Sequence, residues 1–250
     1  MTKFKESRWA DSEFSQNYRD EANIYLPYRN YFIEITKSLY KHFISPNIKA
    51  HVLDLGCGDG LFIQELLKSF SPTSITLVDG SLEMLDAAKK RLGNNENINF
   101  IKASFQNLFS GKVLSESFNF IYSSLAIHHL QFKEKIELYT YVHKLLSTCG
   151  CFVHYDVVAP PSRRIENWYL SLWRQWIEQH PNRTASKTLL KIPEQYKENP
   201  DNTPDTLKSQ LDILDKIGFK EVDCFFKYGI FALFGGLKQP LNQSRNENLR

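Results

Sequence analysis

Nine residues, Val52-Leu53-Asp54-Leu55-Gly56-Cys57-Gly58-Asp59-Gly60, place three glycines and two acids between an apolar run and a helical pattern. Gly56 and Gly58 carry no Cβ, so the backbone there can approach a ligand where any other side chain would collide. A ligand at such a loop lies beyond the carboxyl ends of the strands of an open α/β sheet. A dinucleotide would need GxGxxG with its pyrophosphate on the helix N-terminus, and here the third glycine comes one position early. No GK[ST] follows, which excludes a phosphate-binding P-loop. The acid Asp54 closes the first strand pattern and suits a cationic ligand better than a phosphate. S-adenosylmethionine carries an ammonium, a sulfonium and no phosphate. In Val78-Asp79-Gly80-Ser81 a second acid closes the next strand pattern, near the spacing of a carboxylate that accepts both ribose hydroxyls. Read alone, Asp79-Gly80-Ser81 would be only a turn and a helix cap.

Together these residues resemble the class I S-adenosylmethionine-dependent methyltransferases of small-molecule type, over Ala50 to Asp156. The resemblance implies that Asp54, Gly56, Cys57 and Gly58 form the first cofactor motif. It implies that Asp79 and Gly80 hold the ribose and that Met84 packs on the adenine. Ser104-Phe105 stands where the family usually has an acid on the adenine amino group, so that contact falls to the Ser104 hydroxyl or the Phe105 backbone. Ser123 and Ser124 open the segment beside the methionine portion. An N-terminal Pro27-Tyr28 pair is placed so that Tyr28 reaches the donor. The family also implies a Rossmann-like, doubly wound, mostly parallel sheet of order 3-2-1-4-5-7-6, closed by a hairpin after Gly218-Phe219.

Methyl transfer from a sulfonium is an in-line displacement, and the protein mainly has to align the nucleophile and exclude water. A base is needed for an alcohol or a protonated amine, and less for a phenolate, thiolate or neutral amine. His128 and His129, just after the fourth strand pattern, are the candidate catalytic bases, since an imidazole titrates near neutrality. Tyr155 and Asp156 end the fifth strand pattern and border the same crevice. Two segments are candidates for the acceptor pocket. One holds Tyr18 and Tyr25 near the N-terminus. The other is an insertion at 160–202 with Trp168, Tyr169, Trp173 and Trp176 at helical spacing, a candidate lid for an apolar or aromatic acceptor. The plain alternative for the tryptophans is helix core. His180 and Arg183 could meet an anionic group.

These groups need a scaffold, and the chain alternates accordingly. Strand patterns at Val52–Leu55, Ser74–Val78, Ile98–Lys102, Phe118–Ser123 and Cys149–Val157 are separated by helical patterns at Leu61–Phe70, Ser81–Leu92 and Phe132–Leu146. Ser81 is a plausible N-cap and Gly93 a stop. Alternation of this kind gives right-handed βαβ units and a mostly parallel sheet. Tyr28–Phe43 reads as an amphipathic helix within an N-terminal cap, 1–48. Ile165–Gln179 and Thr206–Ile217 read as helices, and Lys220–Phe226 and Gly229–Phe234 as closing strands. A polar stretch holding Pro193, Pro200 and Pro204 lies between the first two of these. The reading is one domain over 1–240, with a structureless polar tail at 241–250.

The whole composition agrees. The chain has 250 residues, 42% hydrophobic and 24% charged, with a net charge of +3. That buries a sizeable core and shows no dense basic block. Cys57, Cys149, Cys151 and Cys224 form no CxxC pair, so reduced thiols and no metal site are expected. Met1–Ala10 lacks an apolar signal segment and no run approaches the ~20 residues of a membrane span, so a cytoplasmic monomer or homodimer is expected. Transfer to O, N or S of a small metabolite is the leading reading. The alternative is a tRNA or rRNA nucleoside methyltransferase or a cofactor-modifying enzyme. Against nucleic acid stand the absence of [DN]PP[YF] after the fourth strand, of a Pro-Cys nucleophile and of a phosphate-tracking basic surface.

Overall fold

The computed structural model describes residues 21–44, 49–110, 113–181 and 189–239. Tyr18, Arg183 and the tail 241–250 lie outside the described residues, as do parts of the expected cap and insertion. The strands are β1 (His51–Leu55), β2 (Ser74–Asp79), β3 (Ile98–Lys102), β4 (Phe118–Ser124), β5 (Leu146–Val157), β6 (Lys220–Tyr228) and β7 (Phe231–Leu237). The helices are α1 (Arg29–Phe43), α2 (Leu61–Leu67), α3 (Leu82–Leu92), α4 (Phe105–Ser110), α5 (Phe132–Leu145), α6 (Arg163–Gln179), α7 (Ile192–Glu198) and α8 (Leu207–Ile217).

The described strands form one sheet of order β3-β2-β1-β4-β5-β7-β6, the order expected. Pairings from β3 through β5 are parallel, whereas β7 runs antiparallel to both β5 and β6. Strand residues alternate between two cores because successive side chains point to opposite faces. Val52, Phe120, Tyr122 and Val153 join α1, α2, α3 and α6 on one face. Leu53, Ile121, Phe152 and Phe234 join α5 and α8 on the other. Both faces are covered, which is why the central strands read as near-continuous apolar runs. No helix among the described residues is long and apolar enough to cross a membrane.

Register sets the site. Leu55 lies opposite both Val78 and Ser123, and Ser124 opposite Tyr155. The glycine loop, Asp79, the turn after β4 and Asp156 therefore emerge side by side at one edge of the sheet.

Local chemistry explains the boundaries. The Ser81 hydroxyl accepts from Met84 N–H at 3.3 Å, and Gly218 closes α8 with φ 116°. One expectation needs correction. Strand β5 begins at Leu146, not Cys149, because α5 passes directly into it and Cys149 is absorbed as a left-handed residue with φ 62°. The stretch after β3 forms α4, whose six residues are too few for a periodic signal. Pro193 opens α7, since a first-turn proline lacks only an N–H that would go unpaired anyway.

Candidate active site

The loop after β1 is built by hydrogen bonding to the next strand. Gly56 and Cys57 N–H both donate to the Val78 carbonyl, at 2.8 and 3.1 Å. Gly56 and Gly58 adopt φ of 68° and 54°. A Cβ on Gly56 would stand 2.5 Å from Ala126 Cβ and 3.3 Å from Phe105 Cζ, whereas one on Gly58 would meet nothing within 4 Å. Gly56 thus lets β1 and the turn after β4 touch, and Gly58 faces open space. Gly56→Ala is expected to destabilise the protein by about 1–3 kcal/mol through left-handed backbone strain and collision with Ala126, seen as a lower Tm in thermal unfolding. Gly58→Ala meets no collision and should unfold at a higher temperature than Gly56→Ala.

Asp79 is fastened to this loop. Its Oδ2 accepts from Gly58 N–H at 2.9 Å and its Oδ1 from Ser81 N–H at 2.8 Å. Each oxygen keeps a further lone pair for a ligand. Burial raises the Asp79 pKa, and those N–H bonds work against the rise. Asp54 sits behind the loop, 1% exposed, and does not reach the cavity wall. Its Oδ1 is buried without a hydrogen-bond partner. Burial, with the charges of Asp79 and Asp59 second, pushes its pKa well up.

A cavity of about 510 Å³ opens in front of these residues. Gly56, Gly58, Asp79, Gly80 and Met84 line one end, with Ser104 and Phe105 from the start of α4. The Ser104 hydroxyl is engaged with Asn107 Oδ1 at 2.7 Å. Ser124, His128 and His129 line the middle, and Tyr25 and Trp173 the far side. The remaining expected residues lie elsewhere, each for a visible reason. Ser123 points inward and donates to the Leu55 carbonyl at 2.7 Å. Cys57 is buried, which raises its thiol pKa. Tyr155 stacks on Phe32 at 4.1 Å within the core. Tyr28 is 41% exposed and rests against Trp176 at 4.6 Å, so it does not reach the donor end. Trp176 itself donates to the Ile24 carbonyl at 3.0 Å, as Trp173 does to Tyr25 at 2.5 Å, so the two indoles pin the N-terminal segment to α6. Trp168 is 56% exposed on the outer side of that helix.

Sequence reasoning missed part of the wall. Gln195, Tyr196, Asn199, Asp201 and Asn202 line the cavity, with Glu21 and Phe231. The clustered Asn-Pro-Asp-Asn at 199–202 is a turn signal, and its nearness to the histidines is a matter of tertiary placement alone.

The histidines occupy a short 3₁₀ turn, Ile127–His129. His128 Nδ1 lies 2.5 Å from Asp156 Oδ1, and its backbone N–H donates to Asp156 Oδ2 at 2.9 Å. Asp156 Oδ2 also takes His154 Nε2 at 2.8 Å, and Val157 N–H donates to Oδ1 at 2.8 Å. Burial alone would raise the Asp156 pKa, but the adjacent His128 and the imidazole hydrogen bonds hold it well below the usual range. Behind His154, the Tyr139 hydroxyl lies 3.2 Å from Nδ1 and donates to Gln210 Oε1 at 2.6 Å. His129 Nδ1 donates to the Asp201 carbonyl at 3.1 Å. The same turn holds Thr203, whose N–H donates to the His128 carbonyl at 2.9 Å. Buried Lys135 bonds the Thr203 carbonyl and, at 2.6 Å, Asp205 Oδ2.

Burial first, and the neighbouring His128 second, push the His129 pKa down to about 3. From about pH 6.5, the ordinary histidine value, down to pH 3, the unfolded chain binds a proton that the folded one refuses. His129 therefore costs stability as pH falls through that window. Asp54, whose pKa is raised, contributes in the opposite sense, so the difference between two proteins is the clean measure. The Tm of His129→Gln should gain on that of the wild type steadily as the buffer moves from pH 6.5 toward pH 3. A constant gap would show that His129 titrates normally.

Residues 52–150 match the family model described as methyltransferase domain. Among curated proteins, the malonyl-[acyl-carrier protein] O-methyltransferase 1 of Ilyobacter polytropus is 31% identical over 100 residues, 40% of this chain and 35% of that protein. The carboxy-S-adenosyl-L-methionine synthase of Nautilia profundicola is 22% identical over 233 residues, 91% of this chain and 93% of that protein. The first three curated relatives are spanned over only 35%, 29% and 20% of their lengths. Among solved structures, an O-methyltransferase family protein from Burkholderia thailandensis superposes with a TM-score of 0.63 at 13% identity, over 94% of this chain and 63% of that one. That likeness is one of fold. Segment 52–150 matches a methyltransferase domain, a likeness that points to S-adenosylmethionine as cofactor. The open Gly58 backbone and the free lone pairs of Asp79 suit that ligand.

Proposed function

We propose that this chain, built on a class I methyltransferase domain, moves a methyl group from S-adenosylmethionine to a small acceptor bound in the 510 Å³ cavity. One observation carries the reading: the glycine loop with Asp79 and the pair His128–His129 open into the same chamber. Asp79 and Gly80 would hold the ribose, Met84 and Phe105 the adenine, and the Gly56–Gly58 backbone the amino-acid end. When bound, the cofactor supplies an activated methyl group. The protein's part is to align the acceptor, keep water out and take up a proton at His128. Tyr25 and Trp173 give the acceptor end an apolar wall. The acids Glu21 and Asp201 in that wall speak against a phosphate-rich RNA acceptor.

Titration calorimetry with S-adenosylmethionine and S-adenosylhomocysteine tests the first half. Binding of both, and none of NAD, is expected, and the reverse would end the proposal. Labelled donor incubated with a metabolite extract, read by mass, tests the second.

The near full-length alignment with a carboxy-S-adenosyl-L-methionine synthase favours one further reading, chemistry on the cofactor itself. The same mass measurement separates the two. Methyl transfer leaves S-adenosylhomocysteine, whereas modification of the cofactor leaves a nucleoside heavier than the donor.

A further inference from the structure

We propose that the acceptor is a hydroxyl group on an uncharged, apolar body, and that Asp156 and His154 are the positioning residues that set His128 to take its proton. The assignment rests on the methyltransferase reading above.

His128 is committed on one side of its ring only. Its Nδ1 is 2.5 Å from a carboxylate oxygen, so Nδ1 carries the proton and Nε2 keeps its lone pair. Asp156 has no freedom to turn away. It is 1% exposed and receives His128 N–H, His128 Nδ1, His154 Nε2 and Val157 N–H. His154 is itself backed by Tyr139 and Gln210. A buried carboxylate with this many donors serves as a fixed post, and the imidazole facing the cavity is what it aims.

The wall supplies the second half. Among the described residues, the lining includes the carboxylates of Glu21, Asp79 and Asp201 and no lysine or arginine. A carboxylate acceptor would enter without a cationic side chain to pair with and against Glu21 and Asp201. It is also already ionised and would leave His128 without work. An ammonium has no lone pair to attack with and must give up its proton, to His128 or to water, before transfer begins. A thiol ionises in part on its own, with a pKa of about 8.5. A hydroxyl oxygen keeps lone pairs while protonated, so attack and proton loss can coincide, and a base aimed in advance then matters most. The O–H proton passes to His128 Nε2 and an oxygen lone pair forms the O–CH₃ bond. The C–S electron pair stays on sulfur, which becomes a neutral thioether. The imidazolium, stabilised by Asp156, then returns its proton to solvent.

The test uses two matched probes, 2-naphthol and 2-naphthoic acid, titrated into full-length protein saturated with S-adenosylhomocysteine. The naphthol is expected to bind at least about tenfold tighter. Equal or tighter binding of the naphthoate, or no binding of either at millimolar concentration, overturns the hydroxyl assignment. Failure of S-adenosylhomocysteine to bind strikes the methyltransferase reading instead, so the two failures are distinct. Histidine ¹⁵N spectra of the same sample test the positioning role without turnover. The His128 signal, identified by its loss in His128→Gln, should show Nδ1 protonated and Nε2 bare at neutral pH. Asp156→Asn should shift it toward mixed tautomers with S-adenosylhomocysteine still bound. A wild-type His128 protonated at Nε2 overturns the role, even if the Asp156 variant does not fold.

Discussion

His128→Ala is expected to lower turnover about 100- to 10,000-fold, the usual worth of a positioned base, while S-adenosylmethionine binds as before. The split follows from the geometry. The ring is anchored by Asp156 on its Nδ1 side, and the end of the chamber proposed to hold the ribose is built from other elements, the loop after β1 and the end of β2. His129→Ala should cost far less. Its ring donates to the Asp201 carbonyl, and its pKa near 3 makes it a poor proton acceptor. The check is kcat with the acceptor found in the extract screen, beside calorimetric Kd for the donor. Full rate in the His128 variant would remove it from the chemistry.

Asp79→Ala should show the opposite signature, a loss at binding. Removing the carboxylate withdraws the acceptors for two ribose hydroxyls, at about 1–3 kcal/mol of affinity, roughly a factor of 5 to 150. It also releases the Gly58 and Ser81 N–H groups that the two oxygens hold at 2.9 and 2.8 Å. Asp79→Asn separates the two contributions. An amide can still accept from one of these N–H groups but meets the other with a donor. The alanine variant is therefore expected to bind the donor more weakly than the asparagine variant, with both weaker than wild type by calorimetry. Unchanged affinity in either would take Asp79 out of the site.

The scaffold was largely legible in the sequence because its signals are local. A buried parallel strand is a short apolar run, and Ser81 and Gly218 punctuate their helices by side-chain acceptance and left-handed backbone. The cofactor end of the chamber shares that legibility, since Gly56, Gly58 and Asp79 sit at strand ends that register brings together. The acceptor end is different. Whether a tryptophan on α6 faces the cavity or solvent depends on a rotation that amphipathic spacing does not resolve. Trp173 looks in, Trp168 looks out, and Trp176 holds Ile24. The wall from 195 to 202 and the partnership of His128 with Asp156, 28 residues apart, exist only in three dimensions.

The bonds from Thr203 and Asp201 to the histidine turn have a mechanical consequence. The outer panel of the chamber hangs from the His128 carbonyl and the His129 imidazole, with the Lys135 ammonium as its buried rivet. Swinging that panel aside for traffic would strip the turn of these anchors and slacken the aim of His128. In the proposed reaction, bulk water admitted by such a movement would meet the activated methyl group with no aligned base to help it attack.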